Sequence, residues 1–283
     1  MKICNGDNEY IPLNQKTIKT GQSFGPIVYS IHESSHIHHI EYIQRDINSF
    51  ADITDKYLYP FEIYSLPRTL SISGGYKKLN EIISISGERI LLQPCKPNCL
   101  MSGYVYVDKI LSKNGLLYGI FSSKTLNEKG EYLLESKDIL ILVNGSDKKT
   151  LKNQIQKSVI NKTYIQLNID YQDIGSIMLS YRHSWDELFW KNNIHTDIYA
   201  QSLGYEKGLI EAPCLVDIIL SNKSVSPLIK KPSKVSWNYF GPLYHGTLVK
   251  FLMNIKDEII TVLIINSEDD SQLMKLKIEK YEK

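Results

Sequence analysis

The sequence is poor in the features that mark several large classes of protein. Cysteine occurs four times in 283 residues, at positions 4, 95, 99 and 214. Four scattered cysteines exclude a disulfide scaffold, fit a reducing compartment and are expected as free thiols. Charge of one sign is not in excess either: 33 Lys and Arg face 31 Asp and Glu, a formal net charge of +2. That leaves no electrostatic footprint for nucleic acid. No uncharged apolar run is long enough to span a bilayer. Met1-Lys2-Ile3-Cys4 passes at once into polar sequence, without the apolar segment of a secretory signal. The expected location is the cytoplasm.

What is present is ordinary globular composition, 42% hydrophobic and 23% charged residues, with 19 tyrosines read as sheet packing. The length suits one large domain or two of common size. Residues 1–30, with Gly6, Pro12, Gly21, Gly25 and Pro26, are expected as an irregular arm. Beyond Ser34 and Ser35, two candidate helix caps, Ile37, Ile40, Ile43, Ile47 and Phe50 define one apolar helical face that ends near Thr54. A second helix starts at Leu66-Pro67 and stops at Gly74-Gly75, since paired glycines end helices well. Four β-rich runs follow, Glu88 to Gln93, Tyr104 to Leu111, Leu116 to Leu126 and Tyr132 to Val143, with turn signals between them.

Residues 144–158 are polar and linker-like, so the chain divides there. The second half repeats the order of the first. A helical region spans about 180–190 and a Pro-started helix runs from Pro213 to Leu220. Strands follow at Lys234 to Tyr239, Leu248 to Ile255, Ile259 to Asn266 and Leu273 to Tyr281. An internal duplication is the economical explanation. The expected domains are residues 1–30, an N-terminal unit at 31–150 and a C-terminal unit at 151–283.

Three stretches carry a resemblance. Asn192-Asn193-Ile194-His195-Thr196-Asp197-Ile198-Tyr199-Ala200, then Gly204-Tyr205, Gly208-Leu209-Ile210 and Pro213, resembles N-P-(I/L)-H-x-D-x-x-(Y/F)-A, then G-(Y/F), then G-(L/I)-(V/L)-H-G. Val235 to Gly246 is similar to a strand ending in F-x-x-P-(L/V)-x-P-G. In the first half, Arg45-Asp46, Lys56-Tyr57-Leu58-Tyr59 and Leu66-Pro67 are similar to R-D, K-(Y/F)-L-Y-E and L-P-T. Together they resemble the MaoC-like (R)-specific enoyl-CoA hydratases and 3-hydroxyacyl-thioester dehydratases over roughly residues 40 to 266.

The resemblance implies an α+β double hot-dog fold, two antiparallel sheets each wrapping a central helix. It also implies hydration or dehydration of 2-enoyl/3-hydroxyacyl thioesters on CoA or an acyl carrier protein. No cofactor and no metal are implied, and a homodimer is compatible. The catalytic His falls on His195. The Asp five positions before it falls on Trp190, which cannot act as a base. The H-G at the helix start becomes Glu211-Ala212, where the Ala212 backbone N–H can still polarise a thioester carbonyl. Trp190, Asn192, Glu211, Ala212 and Tyr59 are thereby expected around the substrate. The Glu after Tyr59 is replaced by Pro60, with Glu62 two positions on. Because the pair is half present, a non-catalytic acyl-thioester binder and a hot-dog thioesterase stand as alternatives.

Two other patterns are set aside. His32-Glu33-Ser34-Ser35-His36 matches H-E-x-x-H, but its serines look like helix caps, so the two histidines need not share one helix face. Cys95-Lys96-Pro97-Asn98-Cys99 lacks metal-ligand spacing and is read as a loop between strands.

Overall fold

A computed structural model describes residues 17–43, 57–76, 82–113, 116–142, 164–167, 169, 195–202, 204–210, 212–229 and 232–282. Within the first half lie β1 (Ser23–Tyr29), α1 (Glu33–Ile43), α2 (Pro60–Ile63) and α3 (Leu66–Ile72), then β2 (Ile82–Leu91), β3 (Met101–Lys113), β4 (Leu116–Asn127) and β5 (Tyr132–Leu142). The second half contains β6 (Ile165–Gln166), α4 (Asp197–Ser202) and α5 (Ala212–Ser221), then β7 (Ser233–Tyr239), β8 (Val249–Lys256), β9 (Ile259–Asn266) and β10 (Gln272–Lys280).

Strand β4 shows why these segments are strands. Leu117, Gly119, Phe121, Ser123 and Thr125 are buried while the residues between them are half-buried, the two-residue period of a pleated sheet. All pairings are antiparallel, and the strands form one sheet in the order β1-β3-β4-β5-β2-β7-β10-β9-β8-β6. Counted outward from the β2–β7 seam, the two five-stranded halves follow the same topology, with β6 to β10 standing where β1 to β5 stand. This is the double hot-dog architecture. Helix α3 packs on β1 and β3. Helix α5 supplies Leu215, Val216, Ile218, Ile219 and Leu220 to a core cluster that also holds Leu70, Phe121, Trp237 and Leu276, so one core runs through both halves.

Across the seam, Gly87 pairs with Trp237 and Arg89 with Val235. Buried Arg89 bridges Asp138 at 3.0 Å, stacks over Tyr64 at 3.8 Å and faces the Trp237 ring at 4.8 Å. Tyr64 donates its hydroxyl to Asp138 at 2.9 Å, and burial, with the Asp138 charge, pushes that phenol well above its usual range. A buried cation tolerated here needs these partners.

Several expectations need correction. Residues 23–29 are not an irregular arm: they form β1, an edge strand on β3, with a bulge between Phe24 and Ile27. Gly25 and Pro26 hid the strand in sequence. Helix α1 begins at Glu33, ahead of the two serines. Its inward face is not the isoleucine stripe, since Ile37 is 50% exposed while His36 and His39 are buried. The inversion has a physical cause, because buried carboxylates wait on the other side. The helices expected near Pro67 and Pro213 are present, at Leu66–Ile72 and Ala212–Ser221. The polar linker at 144–158 and the helical region at 180–190 lie outside the described residues.

Candidate active site

His195 stands just ahead of α4. The first residue of that helix, Asp197, accepts the Gly208 N–H at 2.7 Å, folding the 195–208 loop back on itself. Residues 208–210 then run beside 243–245: His245 N donates to Gly208 O at 2.9 Å, Ile210 N to Leu243 O at 2.8 Å, and Leu209 bridges Tyr244. Tyr239 donates to Ile210 O at 3.1 Å. Ile210 lies two residues before α5, so this short ladder fixes the approach to the helix N-terminus.

Against this ladder the His195 ring places Nδ1 2.5 Å from Leu209 O. A carbonyl only accepts, so Nδ1 carries the proton and Nε2 is the basic nitrogen of the neutral ring. Gly208 is required by crowding. A Cβ there would run into the His195 carbonyl and stand 3.1 Å from His245 Cε1. His245, which the sequence reading did not single out, is thus brought to the same point as His195. The neighbouring phenol of Tyr205 is pushed up to about 12 by burial and then by Tyr244.

Tyr59 is elsewhere. It caps α2, and its backbone N–H donates to Glu62 at 2.8 Å. Its ring stands 5.6 Å from that of His39. Around it lie two buried pairs, His36 Nδ1 with Glu62 at 2.9 Å and His39 Nε2 with Asp217 at 2.9 Å. Phe61 N also donates to Asp217, at 3.2 Å. Burial pushes the Asp217 carboxyl well up and His39 down to about 4. Asp217 follows Ala212 by five residues, about 7.5 Å along the helix. So α5 follows the His195 loop at its start and meets α1 and α2 along its length.

Among the expected site residues, then, His195 is placed against Leu209, in the ladder that leads to α5 and its first residue Ala212, while Tyr59 is placed beside His39 and Glu62. Trp190, Asn192 and Glu211 fall outside the described residues. Sequence reading weighed His36 only as a metal ligand and missed His39 and Asp217, though two signals pointed to them. The histidines sit one helical turn apart, and Asp217 is the one charged residue of α5. His32 is exposed and His36 turns toward Glu62, so the H-E-x-x-H histidines do not converge. Among the described residues, no three His, Cys, Asp or Glu side chains gather as a metal site.

No protein-family model matches the chain, and no curated protein does. Solved structures are similar. The peroxisomal multifunctional enzyme type 2 of Drosophila melanogaster superposes with a TM-score of 0.67 at 14% identity, over 91% of this chain and 48% of that enzyme, about half its length. A MaoC-like dehydratase from Phytophthora capsici gives 0.66 at 12% identity, over 95% and 98% of the two chains. A Mycobacterium tuberculosis protein described as having a double hot-dog fold gives 0.58 at 9% identity, over 93% and 96%.

Proposed function

We propose, for a chain that has the double hot-dog fold of MaoC-like dehydratases, that it hydrates 2-enoyl thioesters and dehydrates 3-hydroxyacyl thioesters carried on CoA or an acyl carrier protein. The supporting observation is the 2.5 Å contact of His195 Nδ1 with Leu209 O, which sets Nε2 as the basic nitrogen beside the approach to α5. In hydration His195 Nε2 takes a proton from water as the oxygen bonds to C3, and the same proton is then delivered to C2. The thioester oxygen, which gains charge in between, is held by the Ala212 N–H with the helix dipole behind it. Trp190 occupies the sequence position of the carboxylate that would share this work, so His195 serves as both base and acid.

That same Trp190 favours a second reading, an acyl-thioester-binding protein without turnover. One assay separates the readings. Incubation with crotonyl and 3-hydroxybutyryl thioesters, followed by enoyl absorbance and free thiol, is expected to change the enoyl band without releasing thiol. Thiol release would make the protein a thioesterase, and saturable binding with neither signal would make it a binder.

A further inference from the structure

Helix α5 begins at the proposed thioester site and is closed around its circumference almost at once. Successive helical residues look outward at steps of about 100°, so Leu215, Val216, Asp217 and Ile218 between them face every direction. All four are buried, none more than 5% exposed. Packed atoms and not a channel cover them, because a bore wide enough for an acyl chain also admits water and would leave its lining exposed. Asp217 meets His39 and the Phe61 N–H, while Leu215, Val216 and Ile218 belong to the core that runs through both halves. Leu215 and Val216, three and four residues after Ala212, lie on the same side of the helix as Ala212. Helical side chains lean toward the N-terminus, so both cover the turn that begins with the Ala212 N–H. The ladder that leads to the helix is sealed too, with Ile210 and Leu243 buried. His195, Tyr244 and His245 are only half-buried, which leaves their side for a carrier to enter.

From this closure we infer that the site takes short acyl thioesters, of butenoyl or 3-hydroxybutyryl length, with Leu215 and Val216 as the floor of the acyl pocket. The inference rests on the reading of the site as a thioester site and names its substrate class. A carbonyl oxygen held by the Ala212 N–H sets the acyl carbons over that floor, with about 4.5 Å of helix axis between Ala212 and Leu215. A butenoyl group ends within that reach. An octenoyl group would have to displace Leu215 or Val216 from a filled core, and methylenes forced into filled apolar space are rejected.

The test needs no turnover. Titration calorimetry of the full chain with butyryl and octanoyl thioesters, on CoA and on phosphopantetheinylated acyl carrier protein, reads the depth of the pocket. On the carrier that binds, the butyryl form should bind roughly 10- to 200-fold more tightly than the octanoyl form. Leu215→Ala, checked for folding by circular dichroism, should recover most of that difference for the octanoyl form. A folded Leu215→Ala protein with the preference intact would overturn Leu215 as the floor. Octanoyl binding as tight as butyryl, or tighter, in the unmutated chain would overturn the inference whatever the crotonyl assay shows. A butyryl preference without turnover would support it while removing the hydratase reading. Binding of neither form on either carrier would remove both.

Discussion

His39 and Asp217 hold one proton between them. Burial raises the carboxyl well above its ordinary 3.8 and lowers the imidazole from 6.5 to about 4. Between about pH 4 and 6.5 the unfolded chain also binds one proton on this pair, on the histidine, so the pair contributes no pH dependence there. Above 6.5 the unfolded pair binds none, while the folded pair gives up its proton only as pH rises through the raised pKa of the carboxyl. Stability is therefore lost as pH rises, at up to about 1.4 kcal/mol per pH unit. The proton count is the same whichever partner holds it. Urea unfolding at pH 6.5 and 8.5 should show this slope, and a His39→Leu/Asp217→Leu protein should lack it. His39→Ala alone leaves the buried carboxyl without its ring partner and should cost about 1–3 kcal/mol. Ahead of α5, His195→Ala should lower hydratase turnover by about 10² to 10⁴; full activity in that variant would remove His195 from the mechanism. His195 was legible only because a motif surrounds it. The buried histidines were not, because hydrophobic periodicity assumes that the inward face of a helix is the apolar one, and α1 turns Ile37 outward.

Among the elements, strands β3 to β5 and β7 to β10 could be read closely from sequence, and β2 (Ile82–Leu91) only from Glu88 on, since a half-buried sheet writes its two-residue period into the side chains. Two strands could not. β1 contains Gly25 and Pro26, which read as loop residues, and β6 has two residues, too few to carry a period. The 195–210 segment has little regular structure, and its shape comes from single hydrogen bonds that no pattern announces. Gly208 is the tightest point in it. Gly208→Ala should force the His195 carbonyl and the His245 ring apart, at a cost of about 1–3 kcal/mol. Thermal unfolding would measure that cost, and hydratase activity should fall by more than the lost folded fraction. An alanine variant with unchanged stability and turnover would show that the loop is looser than its contacts imply.

For the whole molecule, the duplication was visible as a repeated order of elements, but the join was not. Nothing in the sequence announces that β2 and β7 pair over Ser86 to Leu91, or that the Trp237 ring lies against Gly87. Pairing across the seam places a residue of each half in the other's core, so the halves should unfold together. Gly87→Ala drives a methyl into the Trp237 ring and should lower stability by about 1–3 kcal/mol. The effect should appear as a shift of one transition followed by both fluorescence and circular dichroism. Two separated transitions would mean that the seam does not couple the halves.

Among the described residues, strand β1 ends the ten-stranded sheet with no strand on its outer side. Such an edge is a template on which another chain can add itself and begin an aggregate. Here Pro26 offers no N–H to an incoming strand, and the bulge beside it breaks the register that such a strand would need. Val28, 66% exposed two residues further on, would otherwise make the edge sticky as well as open. The Pro26 ring and the bulge beside it therefore oppose strand addition at this margin of the sheet. Pro26→Val should leave the core intact yet raise light scattering on mild heating, well before the unfolding transition.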